Sequence, residues 1–326
     1  MVAIDQFLKS INIKINSVNR IAVSGSGRVN YIVESDNEKY ILTNNKDVKE
    51  NETFFYLSKL FKYLNANVPE IIKISEDKTL YLQQFVGEET LLDKRLKGED
   101  TSTYYHNTVK HLARLQIATA QVVDKSKLYD SVSFDSPLVY RDLFYFKNYF
   151  LDLTSISYSQ SALLQEFEQI VTNIENAHLV YFILRDFQGR NVMIQDNQPY
   201  FIDYQDGMFG PIAYDLVSLL WQAKAKLTAK EKEEYIQLYT RELQKLIPKK
   251  FDYPSFKKDY NNCLILRLLQ VMGAYGKLGL MQNKPHFKES ISFGIQNLKS
   301  IQNETFMQVY PTLQGIINQM DDHIIQ

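Results

Sequence analysis

Over the first 85 residues the apolar positions fall in short β-branched or aromatic runs, at 21–24, 29–34 and 40–43, each closed by glycine or charged residues. That punctuation predicts strand after strand. Between 47 and 65 the spacing changes: Phe54, Phe55, Leu57, Leu60, Phe61 and Leu64 recur at helical intervals with Glu and Lys between them, predicting one helix within the sheet. Pro69 leads into a run at 71–74, and a turn at 76–78 into another at 79–86, the pattern of a hairpin rejoining the same sheet. Beyond Gly87 helical spacing takes over at 104–122, 161–174, 214–225, 230–246, 260–278 and 287–301, broken only by short strands around Leu184, at 192–194 and at 200–202. The expectation is an α+β, bilobal chain. Residues 1–86 form a small β-sheet lobe with one helix, and 87–326 a larger, mainly helical lobe.

Charge and composition narrow the partners. With 37 basic and 38 acidic residues the formal charge is -1, so no global field gathers nucleic acid or an anionic membrane surface, and neither is expected as a partner. Cys263, the single cysteine, lies in the apolar run with Leu264, Ile265 and Leu266 and suits a reducing compartment. The five histidines show no metal-ligand spacing. The first ten residues carry Asp5 and lack the apolar stretch of a secretory signal. Purely apolar runs such as 179–184 fall far short of the roughly 20 residues that cross a bilayer. A soluble, cytoplasmic protein is therefore expected.

The chemistry concentrates in one segment. Leu184-Arg185-Asp186-Phe187-Gln188-Gly189-Arg190-Asn191 sets Arg-Asp five residues ahead of Asn, and Asp203 follows in Phe201-Ile202-Asp203-Tyr204-Gln205-Asp206. This is catalytic-loop spacing for phosphoryl transfer. Such a reaction needs one carboxylate to orient and deprotonate a hydroxyl, and oxygen ligands to hold Mg²⁺ against phosphates. Asp186 suits the first task, Asn191 and Asp203 the second, with a hairpin over 192–202, turning at Asp196, Asn197 and Gln198, bringing the last two together. Arg190 is a candidate to neutralise charge developing near the transferred group. An Asp or Asn beside a turn is also a common backbone cap, so the joint pattern carries the reading.

With Phe209-Gly210-Pro211-Ile212-Ala213-Tyr214-Asp215-Leu216 added, the stretch 184–220 resembles the aminoglycoside phosphotransferase and choline kinase family. Within it, the chain looks like the kinases that phosphorylate N-acetylmuramate and N-acetylglucosamine at the 1-hydroxyl. The resemblance extends through Gly25-Ser26-Gly27-Arg28, Lys49-Glu50-Asn51-Glu52, Gly273-Ala274-Tyr275-Gly276 and Lys284-Pro285-His286-Phe287. It implies a protein-kinase-like fold, ATP and Mg²⁺, Asp186 as catalytic base, Asn191 and Asp203 as metal ligands, and Asp215 as a buried brace of the catalytic loop. Leu184 departs from the family, where histidine is usual. The alternatives are a kinase of another small alcohol, aminoglycoside or choline-like, and a nucleotide-binding pseudokinase.

At the nucleotide end, Gly25, Ser26 and Gly27 let backbone amides approach phosphate oxygens. The third strand departs from kinases, since Thr43 or Asn44 stands where an inward lysine is usual, leaving Glu52 as the helix carboxylate without its cation. Arg28 is the candidate to supply the charge from the glycine turn. Gln84 and Phe85 belong to the hinge expected to meet adenine. On the substrate side, 224–326 holds 15 Lys and Arg against 10 Asp and Glu, which disfavours a polycationic aminoglycoside. Arg141, Arg267 and Asp142 are the candidate contacts to a neutral or anionic sugar.

Overall fold

The computed structural model describes residues 2–11, 13–21 and 27–321. Gly25 and Ser26, and most of the strand expected at 21–24, lie outside the described residues. In chain order the elements begin with α1 (Val2–Lys9), β1 (Ile15–Arg20), β2 (Val29–Ser35), β3 (Lys39–Asn44), α2 (Val48–Tyr63), β4 (Ile71–Ile74), β5 (Leu80–Gln84), α3 (Leu91–Leu96) and α4 (Ser102–Val122). There follow α5 (Ser136–Tyr149), α6 (Gln160–Glu175), β6 (Val180–Ile183), β7 (Val192–Gln195), β8 (Gln198–Phe201) and β9 (Met208–Pro211). The chain then runs through α7 (Ala213–Leu220), α8 (Ala229–Leu246), α9 (Tyr253–Tyr275), α10 (Pro285–Ile301) and α11 (Pro311–Gln319).

The residues group into two compact units, one of 1–132 with 184–207 and one of 133–183 with 208–326. In the first unit, β1–β5 form an antiparallel sheet in the order β1-β2-β3-β5-β4. α1 covers one face: Ile4, Phe7 and Leu8 pack on Val33, Tyr40, Leu42, Leu80 and Leu82. The sequence pattern missed α1 and β1; β1 reads Ile-Asn-Ser-Val-Asn-Arg, with Ile15 its one apolar residue packed on this core. α2 spans nearly the stretch expected and starts at Asp47, whose carboxylate accepts the Glu50 N–H as an N-cap. Phe54, Leu57 and Phe61 on its inner face are buried.

The segment 184–207 carries the expected hairpin of β7 and β8, with Val192 opposite Phe201 and Gln195 opposite Gln198. Asp196 and Asn197 both take positive φ, as a two-residue hairpin turn demands. Gly87, at φ 107°, lies so close to this hairpin that a Cβ would sit 2.8 Å from the Ile194 carbonyl oxygen, and only glycine fits there. The chain after it pairs with β7, through the Ile194 N–H to Glu89 carbonyl bond of 3.0 Å and a bridge between Thr90 and Met193.

The second unit is built on α9, whose Cys263, Leu264, Ile265, Leu266, Leu268 and Leu269 are all buried. With its π-helical continuation, Tyr253–Met281 is long and apolar enough to cross a membrane by composition, yet most of it is buried within the protein, as befits a core helix. α5 runs against it closely enough that a Cβ on Gly276 would collide with the Tyr149 carbonyl oxygen. β6 pairs antiparallel with β9, Ile183 opposite Met208, so the two ends of the 184–207 segment start side by side.

Candidate active site

Besides Asp196 and Asn197 of the hairpin turn, Arg185 at φ 77° and Asp203 at φ 62° hold left-handed backbone in the 184–207 segment. Such conformations cost energy and persist where surrounding contacts enforce them. Around Asp203 the enforcement is visible. The next residue, Tyr204, is fully buried against Phe54 and Phe61 of α2, with ring centroids 5.1 and 4.9 Å away, and its hydroxyl meets Ser58 Oγ at 2.8 Å. Tyr204 thereby ties the Asp203 turn to α2. Behind Asp186, Phe187 packs edge-on against Phe201 of β8 at 4.9 Å.

Within this unit the motif side chains converge. Asn191 Nδ2 donates to the Asp186 backbone carbonyl at 2.8 Å and, more weakly, to Asp203 Oδ2 at 3.4 Å. The Asp186 carboxylate accepts from Gln188 Nε2 at 2.5 Å on one oxygen and from Arg190 Nη2 at 2.8 Å on the other. Asp203 Oδ1 accepts from Arg28 Nη2 at 2.8 Å and from Gln205 Nε2 at 3.2 Å. Burial works against the Arg28 cation, but Asp203 and Glu50 outweigh it and hold the guanidinium above its ordinary range. Burial, followed by Asp203 and Glu50, pushes Asp206 up to about 6.

The donor chemistry fits a hard cation. With Nδ2 of Asn191 committed to a backbone carbonyl, the amide oxygen is the atom left for a ligand role beside the Asp203 carboxylate. Among the described residues no group of three or more His, Cys, Asp or Glu is arranged to hold a metal.

The other candidates fall as follows. Glu52 pairs with Lys78 and is half exposed, whereas Glu50 lies 3.5 Å from Arg28 with both side chains largely buried. Sequence reasoning missed Glu50, although it lies four and seven residues before the buried Phe54 and Leu57 and so shares their helix face. Gly27 has open space around its Cβ position. The Gln84 N–H is committed to the Glu70 carbonyl at 2.8 Å, and Lys39 Nζ lies 5.7 Å over the Phe85 ring.

In the second unit, Asp142 is buried with Arg141 Nε 3.7 Å away, and Arg141 is exposed. Arg267 is buried, donating to Gln270 at 2.9 Å and lying over the Tyr214 ring at 5.8 Å. Asp215 is fully buried on α7, and burial, with Asp215 nearby, drives the Tyr239 phenol well above its ordinary value.

The profile of the phosphotransferase enzyme family (APH) matches residues 18–255. The N-acetylmuramate/N-acetylglucosamine kinase of Neisseria meningitidis serogroup B is 24% identical over 260 residues, spanning 76% of this chain and 74% of that protein. The protein of the same name from Pseudomonas putida is 25% identical over 160 residues, 48% of this chain and 47% of its own. Among solved structures, a choline kinase from Streptococcus pneumoniae superposes with a TM-score of 0.57 at 13% identity, covering 92% of this chain and 98% of its own. An ADP-bound aminoglycoside phosphotransferase gives 0.56 at 13% identity, covering 90% and 96%. At that identity the likeness speaks for the fold, which is protein-kinase-like. Matched by the family profile over most of its length and sharing the fold of its kinases, the chain belongs to the phosphotransferase enzyme family and is a small-molecule kinase.

Proposed function

We propose that the protein transfers the γ-phosphoryl group of ATP to a sugar hydroxyl, the anomeric hydroxyl of an N-acetylated amino sugar being the acceptor. The observation that supports the reaction type is the joint contact of Asn191 Nδ2 with the Asp186 backbone carbonyl and the Asp203 carboxylate, which brings the three motif residues together. The acceptor follows from the relatives named N-acetylmuramate/N-acetylglucosamine kinase, whose likeness spans about three quarters of the chain in the Neisseria protein.

Asp186 is the group that orients the acceptor hydroxyl and takes its proton, with Gln188 and Arg190 holding its two oxygens in place. Arg190, exposed and paired with Asp186, balances charge on the transferred group. Asn191 and Asp203 would hold Mg²⁺, which supplies compensation for phosphate charge when bound. Arg28 adds a fixed cation for the phosphates. Residues 1–86 serve as the nucleotide-binding lobe, with the Gly25 to Gly27 turn and the hinge at Gln84 and Phe85, and 87–326 as the catalytic and substrate-binding lobe. Arg141, Asp142 and Arg267 contact the sugar. Replacing Asp186 by Asn should lower kcat by about 100- to 10,000-fold with KM for MgATP little changed. Steady-state kinetics with N-acetylmuramate check this, and a kcat within tenfold of the wild type would remove Asp186 as the base.

A further inference from the structure

In kinases a strand lysine commonly pairs with a helix carboxylate and contacts the phosphates. Here β3 offers no such lysine: Lys39 is at its exposed start, and Thr43, almost fully buried, donates to Asn30 Oδ1 at 2.8 Å. The helix carboxylate is nevertheless held. Asn45, just past the strand end, donates from Nδ2 to Glu50 Oε2 at 2.5 Å, while Arg28 Nη2 lies 3.5 Å from Glu50 Oε1.

Asn45 is itself fixed at both ends of its amide. Its oxygen accepts the Asp47 N–H at 3.1 Å and its nitrogen also reaches Asn51 Oδ1 at 3.0 Å, while Asn51 Nδ2 returns to the Asn45 carbonyl at 2.9 Å and to the Lys78 carbonyl at 2.8 Å. Arg28, by contrast, keeps a buried Nε with no hydrogen-bond partner among the described residues. A buried guanidinium N–H without an acceptor is costly, and an anionic oxygen is the acceptor it suits best.

We propose that the two tasks of the absent strand lysine are divided, with Asn45 and Glu50 acting as positioning residues for Arg28, the cation that meets the β- and γ-phosphates. Asn45 orients the Glu50 carboxylate as a neutral strand-side donor. Glu50 anchors one edge of the guanidinium, which leaves Nε for a phosphate oxygen. This rests on the nucleotide-site reading above and assigns roles to residues which that reading does not use.

Calorimetric titration of the full-length protein with the non-hydrolysable Mg-AMP-PNP, and separately with AMP, tests it without knowledge of the acceptor. Arg28→Ala should weaken Mg-AMP-PNP binding at least tenfold, and Glu50→Gln and Asn45→Ala each at least threefold. In the Arg28→Ala background either change should add less than twofold, because both act through Arg28. AMP, lacking the outer phosphates, should bind all variants within twofold of wild type. Equal losses for AMP and Mg-AMP-PNP, or additive losses in the double variants, would overturn the proposal by making the network merely structural. Should Glu50→Gln not fold, Glu50→Asp, which keeps the charge but shortens the reach, carries the same prediction. A wild-type protein that binds neither nucleotide would refute the site reading itself, whereas binding that is indifferent to all three residues would refute only the division of tasks.

Discussion

Asp206 sits among Asp203, Glu50 and Arg28, and its burial lifts its carboxyl from 3.8 to about 6. A carboxyl that holds its proton more tightly in the native state makes the folded protein lose stability as pH rises from about 4 to about 6, and the loss persists above that window. Asp206→Asn removes the titration. Measured by thermal or urea unfolding without nucleotide or metal, the variant should match wild type below pH 4 and exceed it by about 1–3 kcal/mol above pH 6. A difference independent of pH would show that Asp206 ionises normally. At this scale the closeness of Asp186, Asn191 and Asp203 was legible in the sequence, because their spacing implied the hairpin that joins the last two. Family resemblance points to Glu52, whereas helix phase points to Glu50. Residues two apart on a helix point to nearly opposite faces, and only Glu50 shares the face of Phe54 and Leu57.

At the scale of elements, α2 carries Glu50 and so must be held in place. Its N-cap Asp47 accepts the Glu50 N–H and the Tyr129 hydroxyl at 2.5 Å, with the hydroxyl bond the larger influence in drawing the carboxyl below its usual range. The loop after α4 adds the Thr53 hydroxyl to Lys127 carbonyl bond at 2.9 Å and the Asp124 N–H to Tyr56 hydroxyl bond at 2.6 Å. Asp47→Ala should therefore cost about 1–2 kcal/mol in unfolding free energy, and Tyr129→Phe less. A loss below about 0.3 kcal/mol for Asp47→Ala would show that the cap is dispensable. α2, β3, β5 and the β7–β8 hairpin were readable from periodicity because each has a clean apolar face or turn signal. β1 was not, having a single apolar residue on each face, and the cover that α1 gives the sheet is a tertiary fact that no local pattern announces.

For the molecule as a whole, contacts gather the residues into units that the expected lobe boundary at 86/87 does not mirror, since 87–132 and 184–207 group with the sheet. Proximity of this kind depends on long-range packing, such as the close approach of Gly87 to Ile194, and composition along the chain does not reveal it. The second unit depends on an equally close approach of α5 to α9, and Gly276→Ala, which thrusts a methyl onto the Tyr149 carbonyl, should cost more than about 3 kcal/mol or prevent accumulation of folded protein. Thermal melting that leaves this variant within two degrees of wild type would contradict that packing. Phosphoryl transfer to the anomeric hydroxyl of an N-acetylated amino sugar can be followed by phosphorus NMR of reactions containing MgATP and, in turn, N-acetylmuramate, N-acetylglucosamine, choline or kanamycin. An acid-labile sugar 1-phosphate should form with an amino sugar and be absent with Asp186→Asn. Phosphorylation of choline or kanamycin alone would contradict the acceptor, and nucleotide binding without product from any of the four would contradict that transfer outright.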